Sequence, residues 1–115
     1  MKKLIIILIL FSFNVAAKNI ETWKCSERYD SSKKTLVKAT VKKGRTEGTI
    51  NVAGVSHNAL FEVAGFNRRW DFGLTEKSTY NYAFIIKPNG DASYYDFSMK
   101  KNTKPSMRME CRKSK

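Results

Sequence analysis

A hairpin signal between residues 80 and 98 constrains the fold more than any other stretch of the chain. Two runs rich in aromatic and β-branched residues flank the turn formers Pro-Asn-Gly-Asp, a pattern typical of two antiparallel strands joined by a tight loop. Pro88 suits the first central position of a type I turn, and Gly90 suits the left-handed residue of a three-residue bulged loop. A two-residue Asn-Gly turn is the alternative, but it would require Pro88 to donate a ladder hydrogen bond, which proline cannot do. We therefore predict a bulged loop in which Lys87 faces Asp91.

This loop sets the register of the predicted hairpin. One face then carries Tyr80, Tyr82, Phe84 and Ile86 opposite Ala92, Tyr94, Asp96 and Ser98, and the other carries Ala83 and Ile85 opposite Tyr95, Phe97 and Met99. Neither face is plainly polar, so a shift of one residue would exchange the partners.

Further strands are predicted where apolar and polar residues alternate. They fall at residues 20–28, 35–43, 49–53, 59–64, 66–72 and 107–112, with turns or connections at 43–48, 54–58 and 73–78. About seven or eight short strands without helical periodicity indicate an all-β fold, either a small antiparallel β-barrel or a β-sandwich.

Residues 1–17 have the features of a secretory signal peptide. Lys2 and Lys3 precede an apolar run, and small residues at 15–17 suit the cleavage positions. The apolar run is shorter than the roughly 20 residues of a membrane span, and an uncleaved anchor is the alternative. We predict a single exported domain over residues 18–115, secreted or periplasmic, with no transmembrane segment after cleavage.

The two cysteines, Cys25 and Cys111, lie near opposite ends of the predicted mature chain. In an exported protein, an even pair predicts a disulfide, which would place the first and last strands side by side. Metal ligation and a reactive thiol are the alternatives, but His57 is the only histidine in the chain and too few other ligands or bases accompany it. We predict a disulfide, with no metal and no cofactor.

The sequence contains no recognisable catalytic motif. His57 follows Ser56 in a predicted connection without a nucleophile turn, and no Gly-rich phosphate loop is present. Paired carboxylates remain a formal route to hydrolysis, drawn from Glu62, Asp71, Asp91 and Asp96. Any small domain with ten acidic residues offers such pairs by chance. We therefore assign no catalytic residue and expect a protein that is not an enzyme.

The candidates for ligand binding are aromatic residues and one arginine. Arg68 is predicted to lie in a row with Phe66, Trp70 and Phe72. Its guanidinium would either stack on a ring and pair with a carboxylate, or receive an anionic group from a ligand. Tyrosines suit binding faces and also suit a core whose hydroxyls reach the rim. The predicted ligand-binding residues are Arg68, Trp70, Tyr80, Tyr82 and Tyr94.

The chain has a net charge of +12, or +10 without the lysines of the predicted signal peptide. This excess favours an anionic partner, namely a lipid head group, a polysaccharide or an acidic protein, and solubility alone is the simpler explanation. Nucleic acid is disfavoured because exported domains rarely meet it. We expect a small exported noncatalytic binding protein for an anionic partner. A secreted inhibitor or effector acting on another protein is the alternative, followed by a carboxylate-dependent hydrolase. The oligomeric state is left open.

Overall fold

The computed structural model describes residues 19–98 and 104–114, which form an eight-stranded closed barrel. The strands are β1 (Asn19–Glu27), β2 (Val37–Lys42), β3 (Glu47–Val52), β4 (Val55–Ala64), β5 (Asn67–Leu74), β6 (Tyr80–Ile86), β7 (Asp91–Asp96) and β8 (Met107–Ser114). Each strand pairs antiparallel with the next, and β8 pairs with β1. The predicted all-β fold is confirmed, and the barrel is the form it takes. The predicted signal peptide lies outside the described residues.

The barrel closes where β1 meets β8. Cys25 and Cys111 are directly opposite each other in this strand pair, and their sulfur atoms are bonded at 2.03 Å. The predicted disulfide is therefore confirmed, and it joins the first strand to the last. Closure leaves the sheet without unpaired edges, and the disulfide is compatible with an extracellular or periplasmic location. The described residues include no helix long and apolar enough to cross a membrane.

Alternate side chains along the strands point inward and fill the interior of the barrel. On β2, Val37, Ala39 and Val41 are buried, as their spacing predicts, and the lysines beside them face outward. The largest buried side chains come from several strands, namely Trp70, Phe72, Phe84, Ile50, Ile86 and Met109. Their packing fixes which face of each strand is external.

The β6–β7 hairpin has the predicted bulged loop. The Lys87 amide donates to the Asp91 carbonyl at 2.8 Å, and the Gly90 amide donates to the Lys87 carbonyl at 2.9 Å. Gly90 has a φ of 93°, in the left-handed region that favours glycine. The predicted register also holds where β6 and β7 pair, with Phe84 opposite Tyr94. β7 ends at Asp96, so the predicted strand residue Ser98 lies beyond it. Met99, predicted at the end of this face, lies outside the described residues.

The prediction of a connection at residues 54–58 is wrong, because β4 already begins at Val55. Ala53 and Gly54 have φ angles of 50° and 90°, which make the reversal from β3 a two-residue turn. Such a turn matches the twist of the flanking strands, so pairing resumes at once. The polar residues that follow resemble a loop in sequence because several of them lie on the outer face.

Several other strand boundaries also differ from the predictions. Phe66 is 86% exposed in the turn between β4 and β5, so it does not belong to the buried row of Trp70 and Phe72. β5 continues past Gly73, which was predicted to begin a turn. β3 begins at Glu47, so Gly48 lies in a strand, where a Cβ would clash with the Thr40 carbonyl oxygen on β2. Glycine fits this position because it has no Cβ. In the sequence, the same glycine resembles a turn residue.

Candidate functional site

Arg68 is held by a buried carboxylate at one end of the barrel. Its Nε donates to Glu21 Oε1 at 2.6 Å and its Nη2 donates to Oε2 at 3.1 Å, a bidentate pair. The guanidinium carbon also lies 5.2 Å from the centroid of the Trp23 ring. Arg68 therefore stacks on a ring and pairs with a carboxylate, one of the two arrangements that the sequence indicates, and the ring is that of Trp23 on β1.

Glu21 is the centre of this cluster, with a side chain only 2% exposed. Trp23 Nε1 donates to Oε1 at 3.0 Å, and Arg45 Nη1 lies 3.4 Å from Oε2. Burial acts to raise the pKa of Glu21, but hydrogen bonds from Arg68 and Trp23, with the charges of Arg68 and Lys113, outweigh it. The pKa therefore lies below its ordinary value, and the carboxylate is charged at neutral pH, as a partner for Arg68 requires.

Trp70 is a core residue with no exposed surface. Its indole Nε1 donates to the carbonyl of Thr40 at 2.8 Å, across the barrel interior. A Cβ at Gly48 would lie 2.9 Å from the same indole nitrogen. Because the ring is enclosed and its donor is occupied, Trp70 anchors β5 against β2 and β3.

Tyr82 and Tyr94 belong to an aromatic cluster within the barrel. Tyr82 stacks on Phe72 with centroids 5.3 Å apart, and Tyr94 meets the same ring edge-on at 6.0 Å. Burial, then the neighbouring Tyr82 and Asp96, raise the pKa of Tyr94, so its hydroxyl stays protonated at neutral pH.

This cluster and Arg68 occupy different levels of the barrel. Arg68 pairs with Ile86 on β6, whereas Tyr82 is four residues away on the same strand. At the usual rise of a strand this is about 13 Å. The predicted binding residues Arg68, Tyr82 and Tyr94 are therefore not brought together.

Tyr80 lines a groove of about 370 Å³ that is separate from both clusters. The groove also contains Leu60 and Leu74, which are 46% and 67% exposed, together with the polar side chains of Lys42, Glu47 and Asn58. Of the five predicted binding residues, Tyr80 is the one that lines this groove. As a group, the five predicted binding residues do not form a single surface, and their roles toward a ligand stay predictions.

A row of three cations crosses the outer face of β8, β1 and β2. Lys24 is directly opposite Arg112 on one side and directly opposite Lys38 on the other. All three side chains are exposed. None of them forms an ion pair with a carboxylate within residues 19–98 or 104–114. We call Lys24, Lys38 and Arg112 the basic row.

Sequence reasoning did not find the basic row. Its members are separated by up to 88 positions, and the basic residues of the chain occur in blocks of no more than two. The alternation of β2 does place Lys38 on the outer face. The pairing of Lys24 with both of its neighbours depends on the strand register and on closure by β8, which no local pattern contains.

Among the residues considered for catalysis, Glu62 and Asp71 are neighbours, because Glu62 lies directly opposite Arg69, the partner of Asp71. The ring of His57 lies 5.4 Å from that of Phe72. Asp71 pairs with Arg69 at 3.0 Å, and Asp91 pairs with Arg28 at 3.5 Å. Across the described part of the chain, no group of three or more His, Cys, Asp or Glu side chains is arranged to hold a metal ion.

The barrel therefore has an aligned row of cations, a groove lined by apolar and polar side chains, and a packed interior. In comparisons with known proteins, no family model, curated protein or solved structure matches this chain.

Proposed function

We propose that this protein is an exported, noncatalytic binding module whose anionic partner contacts the basic row. The observation that carries the proposal is the direct alignment of Lys24 with Lys38 and Arg112 across three neighbouring strands. Cross-strand neighbours have Cβ atoms about 5 Å apart, so the three charges reinforce one another toward a common ligand.

The basic row has a cost for the folded protein. Like charges directly opposite each other destabilise a sheet, and no carboxylate of the described residues forms an ion pair with the row. Asp91 and Glu110 line a pocket with Arg112, but each pairs with another cation. Exposed lysines without an ion pair also occur elsewhere among the described residues, for example Lys34 and Lys77, so the direct cross-strand alignment is what distinguishes the row. An anionic ligand would relieve the repulsion in the row, which supports a binding role over general solubility.

The environments of Arg68 and Trp70 support the choice of this surface. Arg68 directs two of its N–H donors to Glu21, and this buried carboxylate already neutralises the guanidinium charge that would attract an anion. Trp70 offers no exposed ring. The basic row needs no rearrangement to meet a ligand.

Binding is tested with three anionic probes: vesicles containing phosphatidylglycerol, polygalacturonate and polyglutamate. The Lys24→Gln, Lys38→Gln and Arg112→Gln triple variant removes the row. A control triple variant, Lys34→Gln, Lys77→Gln and Lys104→Gln, removes the same charge from exposed positions elsewhere. Affinity is measured at low and at physiological salt, and the length of the polygalacturonate chains is measured after incubation.

We expect salt-sensitive binding of at least one probe, weakened about tenfold or more in the row variant and clearly less in the control. An equal loss of affinity in the two variants would mean that binding depends on net charge alone. The absence of salt-sensitive binding at micromolar protein would reduce the positive charge to a solubility device. Shortened polygalacturonate chains would instead favour the carboxylate-dependent hydrolase.

A further inference from the structure

The groove beside Tyr80 has the composition of a saccharide site. Its volume of about 370 Å³ falls within the range of small-molecule pockets. It combines a flat aromatic ring with exposed leucine side chains and with polar groups of three kinds. Asn58 offers both donors and acceptors, Glu47 offers acceptors and Lys42 offers donors.

A sugar ring presents the matching chemistry. One side of the ring carries C–H groups that pack on an aromatic face, and the rim carries hydroxyls that donate and accept hydrogen bonds. Neither Lys42 nor Glu47 forms an ion pair within the part of the chain that the structure describes, so both have capacity for such hydroxyls.

Other occupants fit less well. A peptide that binds by strand addition needs a free sheet edge, and the closed barrel offers none. A lipid chain would need a continuous apolar lining, whereas Lys42, Glu47 and Asn58 interrupt this one. A sugar uses both the apolar and the polar parts of the lining.

The groove lies close to the basic row along β2. Lys38 of the row and Lys42 of the groove are four residues apart on the same strand and on the same face. The distance between them along the strand is about 13 Å. A polymer of several sugar units is long enough to contact both.

We infer that the groove binds one unit of an acidic polysaccharide whose charged groups contact the basic row. This inference rests on the proposed function and names the class of its partner. The basic row supplies charge attraction to any polyanion, and the groove supplies the preference for sugar over other polyanions.

The test compares polygalacturonate with polyglutamate of similar length, because both carry one carboxylate per unit and only the first has sugar rings. Tyr80→Leu removes the flat ring, and Tyr80→Phe keeps it. Asn58→Ala is a second variant at an exposed position, and Tyr29→Leu is the control, since Tyr29 is 90% exposed outside the groove. Circular dichroism checks that each variant is folded.

We expect polygalacturonate to bind more tightly than polyglutamate. Tyr80→Leu should weaken polygalacturonate binding roughly three- to tenfold and leave polyglutamate binding unchanged. Asn58→Ala should act in the same direction, while Tyr80→Phe and Tyr29→Leu should bind as the parent protein does.

The outcomes separate the two proposals. Equal affinity for the two polymers, with groove variants that change nothing, would overturn the saccharide site while the basic row and the proposed function stand. Binding of vesicles alone would also overturn it. Failure of every probe to depend on the basic row would overturn the proposed function and this inference together.

Discussion

Reversing the central charge of the basic row should stabilise the fold. In Lys24→Glu, one substitution turns two repulsive cross-strand contacts, with Lys38 and Arg112, into two attractive ones. Most surface substitutions are neutral or destabilising, so a gain in stability at an exposed strand position would be a specific signature of this geometry.

The magnitude follows from the spacing. Two unit charges about 5 Å apart in water interact with about 0.8 kcal/mol, and physiological salt reduces this to roughly half. Changing the sign of both contacts therefore shifts the free energy of unfolding by about 1.5 kcal/mol. For a domain of this size, that raises Tm by roughly 6–12 °C. Lys24→Gln removes the repulsion without adding attraction and should give about half of this increase.

Thermal unfolding followed by circular dichroism measures the effect at 0.15 M and at 1 M salt. The control is Lys77→Glu, which makes the same change of net charge at an exposed position in the β5–β6 loop. We expect the gain of Lys24→Glu over this control to shrink at high salt, because the contacts are exposed and screened. A Lys24→Glu protein no more stable than the control would refute the cost that we assign to the basic row.

Three further predictions concern the interior and the closure of the barrel. Glu21→Gln should cost about 2 kcal/mol at pH 7, below the usual loss for a buried pair because its arginine partner is a quarter exposed. Folding lowers the pKa of Glu21, so the stability that its carboxylate contributes is complete above the ordinary pKa of 4.5 and is lost at more acidic pH. Unfolding curves of the parent protein and Glu21→Gln that stay equally far apart at pH 3 and pH 7 would contradict this. Gly48→Ala should lower Tm sharply in thermal unfolding, because its Cβ would meet the Thr40 carbonyl, and an unchanged Tm would contradict the packing. Reduction of the Cys25–Cys111 disulfide should lower stability to denaturant by up to about 4–5 kcal/mol, whereas equal midpoints with and without reductant would contradict a role in closure.

Local patterns in the sequence predict much of the fold. The turn chemistry around Pro88 and Gly90 predicts both the β6–β7 loop and its register, because the backbone angles of proline and glycine permit few alternatives. Alternation predicts the buried face of β2, since successive side chains of a strand point to opposite sides. The two cysteines predict that the first and last strands are in contact, because a disulfide joins them whatever the strand propensity of the neighbouring residues.

Long-range pairing decides the rest. Strands with alternating apolar and polar residues occur in both barrels and sandwiches. The pairing of β1 with β8 makes this fold a barrel. Likewise, an arginine in an aromatic row indicates a stack or a binding group, and the burial of Glu21 on a distant strand determines which partner it meets. Lys24, Lys38 and Arg112 are unremarkable as separate basic residues in the sequence. They become one surface because the register of three strands places them side by side, and that register results from the packing of the whole interior.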